Sequence, residues 1–425
     1  MKRIISYIPI VFLLVTLMSC SQAAIEDGRW EGIVTLKDTR FFIYLKAEDQ
    51  SLFLSIPEML ATDIPAEDVR MKGDTLSFTI PIGTSTMRYL LTIGTQGLDG
   101  KILYDNAGGT VMLREGRYTV EHRRLEQPQR TGTPVSIDTP TGTLHGTHLV
   151  PEGEGPFPTV LIIAGSGPTD RDGNSELLVE SNDSLWHLAH ELKDAGIASI
   201  RYDKIGVGES IPAQDFSFEG ATFDDFVDDA VRWLEYLSRD QTVSRLGIIG
   251  HSEGSLIGIL AAEMHQVDFL VSVAGNGDPI DEQMVKQISR IDEEASIILE
   301  KRLEEVSRSE YRETGNLLVD SFIPLGRELY LQTWMSYDPT EELRKLDIPT
   351  LVTWGDRDER LVAENDRFPQ EGMPENIEFM EIRDMGHMLR FARNDLELQR
   401  SYKDRNIELH PKFIETVVDF IRRQK

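Results

Sequence analysis

The sequence predicts an α/β protein with a mostly parallel sheet, flanking helices and a helical cap, preceded by a small antiparallel β domain. Three observations carry this expectation. Over residues 28–117, short strand-like runs are separated by turn signals about every ten residues. From residue 134 to residue 425, strand-like and helical runs alternate, which is the pattern of a parallel sheet covered by helices. Between them in importance stands Gly250-His251-Ser252-Glu253-Gly254, where an apolar strand, residues 246–249, turns directly into an apolar helix, residues 256–264.

The elements follow in chain order. Lys2 and Arg3 precede an apolar stretch, residues 4–18, that is short for a membrane span and runs into Ser19 and Cys20, the pattern of an export signal over residues 1–19. Cys20 is the single cysteine of the chain, so the fold has no internal disulfide and relies on its apolar core. A lone thiol at that position resembles bacterial lipoproteins. The resemblance implies cleavage before Cys20, lipid on Cys20, and a place in the bacterial cell envelope, anchored to a membrane. Export argues against nicotinamide- or ATP-dependent chemistry, and the sequence carries no Walker or dinucleotide motif. With 44 basic against 72 acidic residues, the surface repels nucleic acid and anionic headgroups. No nucleic-acid partner is expected, and membrane attachment would come from the lipid and not from a basic face.

Gly28-Arg29-Trp30-Glu31-Gly32 opens the β domain, followed by strand-like residues 33–36, 41–45 and 76–80, with turns at residues 72–74, 98–100 and 106–109. This reads as a small barrel or curled sheet without a catalytic set of its own. The Gly-x-Trp-x-Gly opening resembles lipocalin-like domains that precede secreted hydrolases. Residues 118–133, charged and containing Pro128 and Gly132, read as a linker. Residues 135–137 and 144–150 then form a leading antiparallel pair, and residues 159–163 enter the parallel sheet. Helices are expected at residues 185–195 and 223–238, with His187 and His190 on the first as structural side chains. Strand 269–273 precedes a largely helical stretch, about residues 278–344, in which Met284, Ile288, Ile291, Ile298 and Leu299 recur at helical spacing. Strands 349–354 and 377–382 and an amphipathic helix, residues 411–423, with Phe413, Val417, Val418 and Ile421 inward, complete the chain.

A serine on a strained strand-to-helix turn projects its hydroxyl above the sheet edge, and the N–H of the next residue, here Glu253, stands at the positive end of the helix where an oxyanion would form. The hydroxyl is a poor nucleophile without an imidazole base, and the imidazole needs a carboxylate to fix its tautomer. His387, after Gly386 in the loop beyond strand 377–382, is the candidate base. Asp356 and Asp358, after strand 349–354, are the candidate acids. Serine, acid and histidine thus occur in the order of a nucleophile-elbow hydrolase.

With these residues in place, residues 134–425 resemble the α/β-hydrolases, more narrowly the bacterial carboxylesterases and serine aminopeptidase-like hydrolases. In that family the acid commonly follows the strand-end glycine by three positions, which implies Asp358. The loop Ala164-Gly165-Ser166-Gly167-Pro168-Thr169-Asp170-Arg171-Asp172-Gly173-Asn174 has Ala-Gly where many members have His-Gly, yet closely resembles a subset of carboxylesterases, implying the N–H of Ser166 as second oxyanion donor. Asp170, Asp172 and Asn174 alternate like a calcium loop but lack its glycine and its closing glutamate. The turn Arg201-Tyr202-Asp203-Lys204-Ile205-Gly206-Val207-Gly208-Glu209-Ser210 resembles a family glycine turn and reads as structural. The cap would exclude water and shape the pocket. The resemblance implies two-step acyl transfer with no metal or organic cofactor, on a small-molecule carboxylic ester. An aminopeptidase using Glu293, Glu294 or Glu304 to hold a substrate amine is the alternative, and a lipid-anchored binding protein without activity is a third reading.

Overall fold

The computed structural model describes residues 27–36, 39–48, 50–56, 61–82, 85–95, 97–104, 107–115, 131–175, 181–290, 292–310, 314, 316, 319–320, 323, 326–361 and 366–424. The expected export signal, Cys20 and most of the expected linker lie outside the described residues.

The first nine strands are β1 Gly28–Leu36, β2 Thr39–Glu48, β3 Ser51–Ile56, β4 Ala61–Pro65, β5 Glu67–Lys72, β6 Thr75–Ile82, β7 Ser85–Gly94, β8 Gly97–Tyr104 and β9 Ala107–Glu115. They form one antiparallel sheet in the order β4-β3-β2-β1-β9-β8-β7-β6-β5. First strand pairs with last, and the two strands at the ends of the order, β4 and β5, are joined through Ala66 alone, so the sheet curls back on itself. Period-two alternation puts Leu76, Phe78 and Ile80 of β6 and Met87, Tyr89 and Leu91 of β7 inside. Phe78 and Tyr89 are register partners with stacked rings 4.7 Å apart, a cross-strand contact that fixes the pairing.

The second sheet runs β10 Thr133–Thr139, β11 Gly142–Leu149, β13 Ala198–Tyr202, β12 Phe157–Ile163, β15 Val243–His251, β16 Phe269–Val273, β17 Thr350–Gly355 and β18 Ile377–Ile382, with the two-residue β14 Ile211–Pro212 beside β11. Pairing is antiparallel through β10, β11 and β13 and parallel from β13 to β18. The central strands are buried on both faces, which is why they read as continuous apolar runs. From β12 the chain goes to β13 on one side and returns to β15 on the other. The loops that leave β12 and β15 therefore diverge from neighbouring strand ends, and the crevice between them is where open α/β sheets bind ligands.

Helices cover both faces. On one side lie α1 Ser184–Asp194 and the final helix, α9 Pro411–Arg423; on the other, α2 Phe223–Leu237, α3 Glu253–Met264 and α7 Pro339–Arg344. Thr222 and Asp225 form a capping box that starts α2, and Trp233 of that helix is fully buried against the sheet. Residues 253–261 of α3 are all buried, as expected of a helix apolar on every side.

Between β16 and β17 the chain forms α4 Ile280–Ser289, α5 Glu293–Ser307, α6 Glu328–Trp334 and then α7. The expected helical run is broken in two: Asp292 accepts from the N–H of Ala295 at 2.9 Å and starts a new helix. Met284, Ile288 and Leu299 are buried, Ile298 partly so, and Ile291 lies outside the described residues. These helices share one apolar cluster with the inner residues of the β-domain sheet, and Tyr104 of β8 donates to Asp292. A further helix, α8 Asp395–Lys403, was not expected; its Asp-Leu-Glu-Leu-Gln-Arg-Ser-Tyr-Lys sequence has no wide apolar face.

Asp229 of α2 is buried and accepts from the hydroxyl of Thr141 at 2.8 Å. Burial pushes its carboxyl up to about 7 from the ordinary 3.8. A raised acid favours the folded state below the unfolded pKa, and that contribution is lost as pH rises through about 7. Asp229→Asn should flatten the stability-versus-pH curve between pH 4 and 8, measured by urea unfolding; an unchanged slope would show that Asp229 does not titrate there.

Candidate active site

The site is built around one residue of unusual backbone. β15 ends at His251, α3 begins at Glu253, and Ser252 between them has φ 56° and ψ −122°. A non-glycine residue in such a region is strained, at a cost of about 1–3 kcal/mol, and persists only when its surroundings hold it. Ser252 N–H donates to the carbonyl of Val273 on β16 at 2.8 Å, and Ser255 N–H donates to the Ser252 carbonyl at 2.9 Å. The flanking glycines allow the turn to close. A Cβ on Gly250 would lie 2.1 Å from the Gly254 carbonyl oxygen, and one on Gly254 would lie 2.4 Å from the carbonyl oxygen of Ile163 at the end of β12. Gly165 packs against the serine itself, its missing Cβ position being 3.1 Å from Ser252 Cβ.

The ends of the neighbouring strands β17 and β18 bring Asp358 and His387, the candidate acid and base, together. His387 Nδ1 lies 2.9 Å and 3.0 Å from the two carboxylate oxygens of Asp358, so Nδ1 carries the proton and Nε2 keeps its lone pair. Asp356 is used differently: it accepts from the N–H of Asp384 at 2.6 Å and ties down the loop that carries His387. Burial would lower the His387 pKa, but the charge and hydrogen bond of Asp358 outweigh it and hold the imidazole above its ordinary 6.5. Burial would raise Asp358, and His387 with the Arg360 N–H holds it below the usual carboxylate range. Next to it, Glu359 is pushed up to about 7 by burial and by the charge of Asp358.

Sequence reasoning missed His251. Its Nε2 donates to the His387 carbonyl at 3.0 Å, since a carbonyl can only accept, and the two rings are 4.9 Å apart. Burial, then the charge of His387, pushes His251 down to about 4, so it is neutral when His387 is protonated. Its position beside Ser252 in the turn was the only available signal.

The loop after β12 and the turn after β13 are locked by crossed ion pairs. Arg171 bonds Asp203 at 2.6 Å, and Arg201 bonds Asp172 at 2.8 Å. Asp170 accepts from the N–H groups of Asp172 and Asn174 at 3.0 Å and 2.9 Å, and Asn174 donates to Asp183 at 2.6 Å. The calcium-like spacing therefore serves loop geometry. Among the described residues no cluster of three or more His, Cys, Asp or Glu could hold a metal ion. His187 bonds the Arg405 carbonyl and His190 the Trp186 carbonyl, both as structural side chains.

Ser252, His387, Ser166 and Glu253 all line a cavity of about 620 Å³ that the cap helices roof. Phe218, Phe226, Tyr330 and Trp334 make much of its wall apolar and aromatic, as in small-molecule sites. Glu293, Glu294 and Glu304 lie on the exposed face of α5 and do not line it.

Residues 178–313 match the family described as "Serine aminopeptidase, S33". Esterase EstD of Thermotoga maritima is 26% identical over 249 residues, which are 58% of this chain and 58% of that protein; the chain thus spans under two thirds of the relative's length. Among solved structures, ferulic acid-bound Est1E of Butyrivibrio proteoclasticus is 20% identical with TM-score 0.43, over 68% of this chain and 98% of its own. Proline iminopeptidase of Mycobacterium smegmatis is 15% identical with TM-score 0.45, over 69% of this chain and 98% of its own. The sheet order and the strand-to-helix turn at Ser252 give this chain the α/β-hydrolase fold, preceded by an antiparallel β domain. In sequence the chain is similar to the Thermotoga esterase over those 249 residues.

Gly254→Ala tests the packing at the turn. Alanine gains about 1 kcal/mol of helix propensity over glycine, but overlap with the Ile163 and Ala164 carbonyls is unavoidable and overpacking costs about 1–3 kcal/mol. Net destabilisation is expected in urea unfolding, whereas Gly108→Ala, where an added Cβ meets nothing within 4 Å, should be near neutral.

Proposed function

We propose that this protein is a serine hydrolase of small carboxylic esters acting through an acyl-enzyme. The observation that carries the reading is the hydrogen bond of His387 Nδ1 to Asp358 at 2.9 Å in the cavity that also holds Ser252. Ser252 Oγ attacks the ester carbonyl while His387 Nε2 takes its proton; the N–H groups of Glu253 and Ser166 receive the oxyanion. His387 returns the proton to the leaving alcohol, and a water, deprotonated by the same imidazole, releases the acid. Asp358 stays ionised throughout and stabilises the imidazolium. Export and lipid attachment through Cys20 belong to the same proposal, and place the reaction in a cell envelope.

A second reading, removal of residues from a free amino terminus, has the family match as its support. The charges around the cavity favour the ester. Glu253 is paired with Lys204 and Asp278 with Lys286, while Arg327 and Arg360 line the cavity with no carboxylate in ion-pair distance among the described residues. A cationic wall repels an ammonium group, and the cap glutamates that would hold it face solvent.

p-Nitrophenyl esters of short and medium chain length, compared with aminoacyl p-nitroanilides, test the two readings directly. Ester turnover should fall by several orders of magnitude in Ser252→Ala. Faster anilide than ester turnover would favour the peptidase, and turnover indifferent to Ser252→Ala would end both. Protonated His387 cannot accept the serine proton, so kcat/KM should rise with pH through an ionisation above 6.5. Asp358→Asn should lower kcat by about 10⁴-fold and move that ionisation to lower pH, since the main group raising it is gone. Asp356→Asn should leave both within tenfold; the reverse ranking would assign the acid to Asp356.

A further inference from the structure

The turn after β13 reads from sequence as a structural glycine turn that only borders the site. Its Lys204 does more than border it. The side chain is 5% exposed, and its Nζ donates to the Gly165 carbonyl at 2.6 Å and to Glu253 Oε2 at 3.3 Å. Gly165 is the residue packed on Ser252 Cβ, and its carbonyl belongs to the same peptide unit as the N–H of Ser166. Glu253 begins α3 and supplies the other candidate donor with its own N–H. From the cap, Tyr330 on α6 donates to the second carboxylate oxygen of Glu253. One ammonium group therefore contacts both elements that would carry oxyanion donors, and the cap touches the same carboxylate.

We propose that Lys204 is a positioning residue of the oxyanion site: it holds the Gly165–Ser166 peptide with the Ser166 N–H toward the cavity, and joins that peptide through Glu253 to the start of α3. In a planar trans peptide the C=O and N–H point in opposite directions, so a donor that grips the Gly165 oxygen turns the Ser166 N–H the other way. The grip is needed because Gly165 on one side and Gly167, with φ 75°, on the other leave this segment free to rotate. A charged donor on the carbonyl also polarises the amide and strengthens the N–H as a donor. Stability alone is a poor reason for this pair: desolvating a buried ammonium and carboxylate offsets most of their attraction, and such pairs are better attested as devices that fix geometry. The catalytic consequence rests on the serine esterase reading above; the tether itself does not.

The test uses the full chain with Lys204→Met and with the double variant Lys204→Met/Glu253→Gln, which leaves no buried charge without its partner. Folding of each is checked by thermal unfolding. In the double variant, kcat for a p-nitrophenyl ester should fall about a hundredfold, the loss typical of one oxyanion donor, with KM within about threefold. Affinity for a boronic acid that forms a tetrahedral adduct on the serine should fall in parallel. Amide hydrogen exchange over residues 164–168 should speed up at least tenfold. A merely structural lysine would lower the unfolding temperature without splitting kcat from KM. Turnover within threefold of the parent in a folded double variant, a loss confined to KM, or unchanged exchange at residues 164–168 would overturn the proposal. If the parent shows no Ser252-dependent ester turnover, the esterase reading fails by itself, and the exchange measurement still decides the tether.

Discussion

The arrangement of the site depends on the backbone of Ser252. A serine held at φ 56° is not where an isolated peptide would put it, and the strain is sustained by the sheet around it. β15 stops against β16 through the Ser252 to Val273 bond, α3 closes on β12 through the glycine contacts, and Gly165 lies against the serine side chain. Ser252 thus sits where three strands end, at the point where the chain order reverses. The C-terminal ends of those strands are buried, so the anchoring points have little room to relax.

Around that point the charges are arranged against the composition of the chain. The sequence has 28 more acidic than basic residues, yet Arg171, Arg201 and Arg390 are among its most deeply buried side chains. Arg171 and Arg201 cross-link the loop after β12 to the turn after β13, and Arg390 donates to the carbonyls of Ser401 and Asn182. The acidic excess is carried mostly by the outer surface, where water screens it. Inside, guanidinium groups with several fixed donors hold loops whose backbone would otherwise have few partners, the task for which arginine is suited. The His387 and Asp358 pair and neutral His251 extend this buried polar layer toward Ser252.

The β domain and the cap meet in the same way. Met284, Ile288 and Leu299 of the cap helices cluster with the inner residues of the β-domain sheet, and Tyr104 bonds Asp292 at the break between α4 and α5. Lys403 of α8 reaches Glu31 of β1 at 3.4 Å, a second link between the β domain and the hydrolase portion. Neither polar contact could be anticipated from spacing, because the partners are 188 and 372 residues apart.

Strand and helix periodicity, the apolar runs and the glycine-bounded turn around Ser252 determined the α/β class, the leading β domain and the candidate serine, because each is a local pattern set by which faces must be buried. Local pattern also put His387 after Gly386 in a strand-end loop and favoured Asp358 over Asp356 as the acid, but could not show what either touches; only the tertiary structure has Asp358 at the imidazole and Asp356 on the N–H of Asp384. The acidic run in α5 looked available for a substrate amine, and the helix's rotation sent it to solvent. α8 was invisible because its sequence has no broad apolar face, and His251, Lys204 and Tyr330 acquired partners only when β13, β15 and the cap came together. Periodicity reports what a segment buries; which polar atoms meet depends on how distant segments are brought to the same few ångströms, and that is decided by the packed fold.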